Sequence, residues 1–256
     1  RERKRWGSPR QIDAASVWRA DALTYPRTWD TVDHYNNRIV FAPHSADPVL
    51  FGIRGSDPQA LIEAFQCIES EPAERWAVFL TNQGTDAHIL ESSIGRVQDS
   101  QSYRLQGVVA EPARPIAGGH LFFPLENGSS RIECAAFEPT KSFRSIVRQL
   151  AAGDEVEVFG SVREDTLNLE KIKILRLAQL EQSAAPLCPQ CGRRMKSAGC
   201  GQGYRCRRCK TRAPGLVSQL SPRGLETGYY EVPPCARRHL SKPLVRMTGE
   251  KVHPSR

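Results

Sequence analysis

Cys188-Pro189-Gln190-Cys191 and Cys206-Arg207-Arg208-Cys209 are separated by fourteen residues. A Cys-x-x-Cys turn aims two thiolates at one point. Two such turns at this spacing close a tetrahedral shell around one Zn²⁺. Cys188, Cys191, Cys206 and Cys209 would leave no open coordination position, so the expected zinc is structural rather than catalytic. Cys200 lies in the Gly-rich GCGQG hairpin between the pairs and is not expected to be a ligand. A segment this poor in apolar residues takes most of its folding free energy from the metal.

Three polar clusters offer other chemistry. Asp30 and Asp33 sit close together in TWDTVD, His44 follows Pro43, and Thr81 to His88 read TNQGTDAH. A loop of Asn, Gln, Thr, Asp and His at the end of an apolar run is a usual place for ligand contacts. Each cluster also has a purely structural reading, in which Asp30 or Asp33 caps a helix and Asn82 or Gly84 makes a turn. No Walker loop, dinucleotide fingerprint or nucleophile elbow is present, so no nucleotide site is legible and no catalytic residue is assigned.

Charge points to an anionic partner. The chain carries a formal net charge of +8, but the excess is local. Pro186 to Arg256 hold 15 Lys and Arg against 3 Asp and Glu, whereas the other 185 residues hold 21 against 25. A basic segment that also bears a metal pattern reads as a nucleic-acid module. Arg205, Arg207, Arg208, Arg237, Arg238, His239 and Lys242 are the expected phosphate contacts, and Tyr229 and Tyr230 are placed to stack on bases. No run of 18 apolar residues marks a membrane span. The scattered Cys67, Cys134, Cys200 and Cys235 fit a reducing, cytoplasmic setting.

The elements that must hold these residues fall into distinct grammars. Residues 1–95 read as mixed α/β. Helices are expected at Val17 to Leu23 and Asp57 to Ser70, and short strands at Arg38 to Ala42 and Val49 to Arg54. Trp76 to Leu80 reads as a buried strand. Residues 100–180 read as three strands (Tyr103 to Ala110, Leu121 to Leu125, Arg131 to Phe137), a helix over Lys141 to Ala151, and two more strands (Glu155 to Val162, Leu167 to Leu177). Asn127-Gly128 signals a hairpin. That order is the five-stranded OB-fold barrel, and Gly107 and Gly160 suit its bent strands. Residues 186–215 are the zinc ribbon and 216–256 a basic tail. The fold class is therefore α+β, multidomain. The chain opens on a charged RERKRWGSPR stretch without Met, so further residues upstream are expected.

Taken jointly, WGSPR (Trp6 to Arg10), YPRTWDTVD (Tyr25 to Asp33), APHSADPVLFGIRG (Ala42 to Gly55), TNQGTDAH and ARRHLSKPL (Ala236 to Leu244) resemble one family. It is the archaeal agmatinylcytidine synthetase that modifies the wobble cytidine of an isoleucine tRNA with a CAU anticodon. The resemblance implies a ferredoxin-like domain over 1–95, then the OB-fold and the zinc ribbon. It also implies a kinase-like ATP-binding domain, with magnesium, that has no counterpart in these residues and would lie upstream or act in trans. The implied function is an ATP-dependent ligase in which this chain binds agmatine and tRNA.

Agmatine is a dication, and its guanidinium calls for carboxylates. Asp30, Asp33 and Asp86 are the expected charge partners, and Asn82, Gln83 and Thr85 the expected orienting groups. His44 and Arg54 would face phosphate or tRNA. Thr31 departs from the Asn expected there. The competing reading is a non-catalytic OB-fold and zinc-ribbon module for single-stranded nucleic acid.

Overall fold

The structure, a computed structural model, describes every residue from Arg1 to Arg256. Two compact units are present, Arg1–Leu177 with Leu225–Arg256, and Ala178–Gly224.

In the first unit, α1 (Ala14–Thr24) starts at Asp13, whose side chain accepts from the Ser16 amide at 2.7 Å. Four two-residue strands follow: β1 (Thr28–Trp29), β2 (Val32–Asp33), β3 (Arg38–Ile39) and β4 (Arg54–Gly55). β1 pairs with β4 and β2 with β3, both antiparallel. α2 (Pro58–Cys67) has Pro58 in its first turn, and the Asp57 side chain accepts from the Gln59 amide. Pro at that position loses no hydrogen bond and Asp satisfies an orphan donor, so this helix start is set locally. Val17, Ala20, Val32, Phe41, Ala64 and Ile68 form the small core between the helices and strands.

Two expected strands do not form. Only Arg54 of the Val49–Arg54 run is paired, and Trp76 to Leu80 are neither paired nor buried. Both runs have strand composition, but in the first only Gly52 finds a backbone partner outside β4, donating to the Phe41 carbonyl at 3.0 Å, and Trp76 to Leu80 join no sheet.

After β5 (Ile89–Glu91) comes the barrel: β6 (Ser102–Val109), β7 (Arg114–Pro115), β8 (Leu121–Asn127), β9 (Ser130–Ala136), α3 (Phe143–Val147), β10 (Glu155–Arg163) and β11 (Thr166–Arg176). β6, β8, β9, β11 and β10 pair in a closed circuit, the β9–β11 pair being parallel. The β8–β9 hairpin closes at Asn127↔Ser130, with Gly128 at φ +61° as an L residue rarely allows. At Gly160 a Cβ would lie 2.0 Å from the Asn168 carbonyl oxygen, beside a register shift between Phe159 and Gly160. Glycine is what lets this strand bend into a barrel. Leu105, Leu121, Phe123, Leu125, Phe143, Val147, Leu167 and Ile172 fill the interior. α3 is shorter than the helix expected over Lys141 to Ala151; Phe143 and Val147 are buried on it and Leu150 is buried just beyond its end.

The second unit pairs β12 (Glu181–Ala184) with β16 (Val217–Leu220) and builds a small sheet from β13 (Lys196–Ser197), β14 (Tyr204–Arg205) and β15 (Arg212–Ala213).

Residues 225–256 return to the first unit instead of trailing away. β17 (Gly228–Glu231) extends the barrel sheet along β11, and β18 (Val252–His253) pairs parallel to β17. Tyr229 and Tyr230 are buried by this pairing, and Tyr230 stacks on His253 at 4.3 Å. Their expected role as base-stacking platforms is thereby corrected: the rings pack inside the chain. No helix is long and apolar enough to cross a membrane.

Candidate substrate seam and zinc centre

The TNQGTD loop docks on the C-terminal segment through its backbone. Gly84 donates to the His239 carbonyl at 2.8 Å, and Thr85 and Asp86 donate to the Leu240 carbonyl. Asp86 then anchors the loop to the barrel. Its two carboxylate oxygens accept from Lys171 Nζ at 2.7 and 2.6 Å, and Oδ1 also accepts from the Lys242 amide. Lys171 is 1% exposed and gives its third proton to the Lys242 carbonyl at 2.8 Å. Burial pulls the Lys171 ammonium below its usual pKa, and Asp86 opposes that shift. Nearby, Glu170 accepts from Arg238 and lies 2.9 Å from His88 Nε2.

Asp30, at φ +56°, pairs with Arg237, which also reaches Glu231 at 2.8 Å. Both ends of each pair are nearly inaccessible. Burial pushes Glu231 up to about 7 even though Arg237 attracts its charged form. The desolvation of a carboxylate outweighs a single guanidinium here. Asp33 is fully buried and accepts from the Asn36 amide and side chain and from the Cys235 amide. Burial alone would raise its pKa, but these hydrogen bonds prevail and hold it below the usual carboxylate range.

Arg54 links the segments further. Its Nε donates to Gln83 Oε1 at 2.9 Å and its Nη2 donates to His239 Nδ1. Burial, followed by the charge of Arg54, pushes His239 down, so the ring accepts as a neutral imidazole. Arg246 donates to the Gly84 carbonyl and lies over the Trp29 ring at 4.6 Å. TWDTVD, GIRG, TNQGTDAH and ARRHLSKPL therefore meet in one seam between the α/β part and the barrel.

A cavity of about 10 Å³ opens in that seam, lined by Trp29, Asp30, Glu231 and Arg237 among others. Trp29 Nε1 and Arg237 Nε, both on its wall, are buried without a partner, as is the neighbouring Thr31 Oγ1. Unsatisfied buried donors mark a place that a polar guest would complete. A separate open groove of about 480 Å³ collects Ser8, Pro9 and Arg10 of WGSPR with Pro43, His44 and Ser45 of APHSADP.

Of the expected tRNA contacts, Arg205, Arg207 and Arg208 are exposed on the ribbon with no carboxylate partner. Arg237 is turned inward, and Arg238, His239 and the Lys242 backbone are engaged in the seam. Asn82, Gln83 and Thr85 remain exposed on the loop. Lys171 and Glu231 were not legible as seam residues in the sequence, because their roles appear only when distant strands pair.

In the second unit the Cys188, Cys191, Cys206 and Cys209 sulfurs lie within 4.8 Å of one another. Gly192 and Lys210 donate to the Cys188 and Cys206 carbonyls, closing two matching knuckles. Burial opposes ionisation of Cys188, yet the Gln190 and Cys191 amides hold its thiol down to about 6. These four sulfurs have the number and spacing of a structural zinc shell. Cys200 stays exposed, outside the cluster.

Comparison with known proteins agrees. Three domain models match, "TiaS FLD domain" over residues 1–88, "OB-fold nucleic acid binding domain" over 95–175 and "TiaS C-terminal zinc ribbon domain" over 185–225. The isoleucine-tRNA 2-agmatinylcytidine synthetase TiaS of Methanosarcina acetivorans is 51% identical over all of this chain. The chain belongs to the tRNA 2-agmatinylcytidine synthetase family. It spans 61% of the Methanosarcina acetivorans synthetase. A solved apo TiaS superposes at TM-score 0.87, with 46% identity, over 97% of this chain and 60% of that one. A TiaS complex with isoleucine tRNA, AMPCPP and agmatine superposes at 0.85, with 42% identity, over all of this chain and 60% of its own. The agmatinylcytidine synthetase family thus accounts for the α/β part, the barrel and the ribbon together.

Proposed function

We propose that this chain is the part of an ATP-dependent ligase that holds agmatine and isoleucine tRNA while agmatine is joined to the wobble cytidine of the CAU anticodon. The observation carrying this is the superposition, over the whole chain, of a relative solved with isoleucine tRNA, AMPCPP and agmatine. ATP, with magnesium, activates the cytidine C2 oxygen in a kinase-like domain supplied upstream or in trans. This chain contributes positioning, which converts an encounter of three partners into a reaction within one site. The wobble base must be splayed out of its loop to be reached. Arg205, Arg207 and Arg208, unneutralised on the ribbon, bind phosphate while that happens.

For agmatine, Asp30 supplies negative charge at the cavity whose walls keep unpaired donors. Asp33 and Asp86 hold the two segments that carry the site, and Asn82, Gln83 and Thr85 orient the ligand from the exposed loop. A cavity with room for about one water admits agmatine only when the seam opens. The enzyme works in the cytoplasm. A non-catalytic single-strand-binding module is disfavoured, because the family match runs through residues 1–88 as well as the barrel and ribbon.

The test is filter binding of the chain to an isoleucine tRNA transcript with the CAU anticodon, to a transcript with another anticodon, and to a single-stranded RNA of equal length. Preference for the CAU transcript of at least tenfold is expected. Equal affinity for all three would favour the binding module and overturn the ligase reading.

A further inference from the structure

Arg256 seats its guanidinium between a ring and a buried carboxylate. Its Cζ lies 4.1 Å from the centre of the Tyr25 ring, and its Nη2 donates to Asp21 Oδ2 at 2.8 Å. Asp21, on α1, is 2% exposed, and the same oxygen lies 2.9 Å from His34 Nε2. An aromatic face with a carboxylate beside it is the pair of contacts that a planar guanidinium satisfies best. The main chain beside the cradle is tied down separately. Ser255 donates to Glu231 Oε1 and its carbonyl accepts from Arg237, while Tyr35 donates to the Arg256 carbonyl.

This cradle borders the cavity of the seam. Asp21, Tyr25 and Arg256 line that cavity together with Trp29, Asp30 and Glu231. The Arg256 side chain is 38% exposed, whereas that of Asp21 is 3% exposed. The guanidinium is therefore already half in water and leaves with little change in its hydration. The carboxylate it leaves behind is buried, and a buried charge stripped of its partner is strongly unfavourable. An incoming guanidinium restores both lost contacts in the same geometry. Agmatine is arginine without its carboxyl group, so from Cα outward Arg256 carries the same carbon chain and the same guanidinium.

We infer that Asp21 and Tyr25 are the seat of agmatine's guanidinium, and that Arg256 is a tethered stand-in which agmatine displaces on entering. The inference rests on the reading that this chain holds agmatine. Swinging Arg256 out removes one wall of the one-water cavity, and the amine end of the ligand then lies toward Asp30, which lines the same space. Arg256 is thus a built-in competitor. The apparent affinity for agmatine is the intrinsic affinity reduced by the fraction of molecules whose seat is empty. The competitor also discriminates. Putrescine, a diamine of similar chain length without the guanidinium, lacks the planar fork that fits ring and carboxylate together, so it displaces Arg256 poorly.

The test is equilibrium dialysis of labelled agmatine, and separately of labelled putrescine, against the full 256-residue chain with isoleucine tRNA, the tRNA alone serving as blank. Arg256→Ala is expected to tighten agmatine binding about fivefold or more, and putrescine binding by less than half as much. Asp21→Asn added to R256A is expected to weaken agmatine about tenfold or more. Tyr25→Leu added to R256A is expected to weaken it about threefold or more, and replaces D21N in the test if that variant does not fold. The inference is overturned if R256A binds agmatine no more tightly than the parent. It is overturned equally by a gain for putrescine as large as that for agmatine, or by D21N and Y25L that bind agmatine as R256A does. If no chain, parent or variant, retains agmatine, the reading that this chain holds agmatine fails and the inference fails with it.

Discussion

Replacing Asp86 by Ala removes the counter-charge of a buried lysine, and the structure sets the size of the effect. Lys171 Nζ has three protons and three acceptors, two of them on Asp86 and the third the Lys242 carbonyl. The variant leaves a buried ammonium with one acceptor. Breaking such a pair from one side costs about 3–5 kcal/mol. The Asp86 side chain is 25% exposed, so water reaches the vacated space and the cost falls at the low end, about 3 kcal/mol. Lys171→Met in the same chain removes the stranded charge, and the double variant should regain about half of the loss or more. Urea unfolding followed by tryptophan fluorescence reports the first unit, where all four tryptophans lie, in a double-mutant cycle. A D86A loss below about 1 kcal/mol, or a double variant no more stable than D86A, would refute the claim that this ion pair anchors the TNQGTD loop.

Other consequences follow from the same geometry. Chelating zinc should unfold residues 178–224 while leaving the barrel's cooperative unfolding in place, read by circular dichroism and by released metal. Gly160→Ala should destabilise the barrel by about 3 kcal/mol, because its Cβ meets the Asn168 carbonyl; unchanged unfolding would show that the strand bend is not required. Glu231 binds its proton more tightly folded than unfolded, so its contribution is fully present below its ordinary value of 4.5 and is lost as pH rises to about 7. That loss amounts to about 3 kcal/mol, and Glu231→Gln should flatten this part of the pH–stability curve relative to the parent. Replacing Arg205, Arg207 and Arg208 together by Ala should lower the slope of log affinity for tRNA against log salt by about 2 to 3.

What the sequence disclosed follows from how local each signal is. Two Cys-x-x-Cys turns need only their own backbone, so the zinc shell was fully legible. The barrel was legible because its strands alternate, Asn127-Gly128 marks a hairpin, and Gly107 and Gly160 sit where backbone comes close. The strands of residues 1–95 were half legible: Trp76 to Leu80 have the right composition, but pairing depends on a neighbour the run cannot specify. Least legible was the C-terminal segment. Its arginines read as phosphate contacts, yet Arg237 is claimed by Asp30, more than two hundred positions away, once β17 joins β11. A basic residue bound inside by a distant carboxylate looks, in sequence, like any solvent-facing one.

The central claim is that this chain brings agmatine and isoleucine tRNA to a reaction driven by ATP elsewhere in the family's length. The most direct measurement supplies the chain with the CAU-anticodon isoleucine tRNA, ATP and labelled agmatine, with and without the unmatched portion of the Methanosarcina acetivorans synthetase. Label on the tRNA is expected only when that portion is present, with agmatine retained by the chain with tRNA in either case. Label on the tRNA with the chain alone would contradict the division of labour, and no agmatine retained under any condition would contradict the substrate assignment itself.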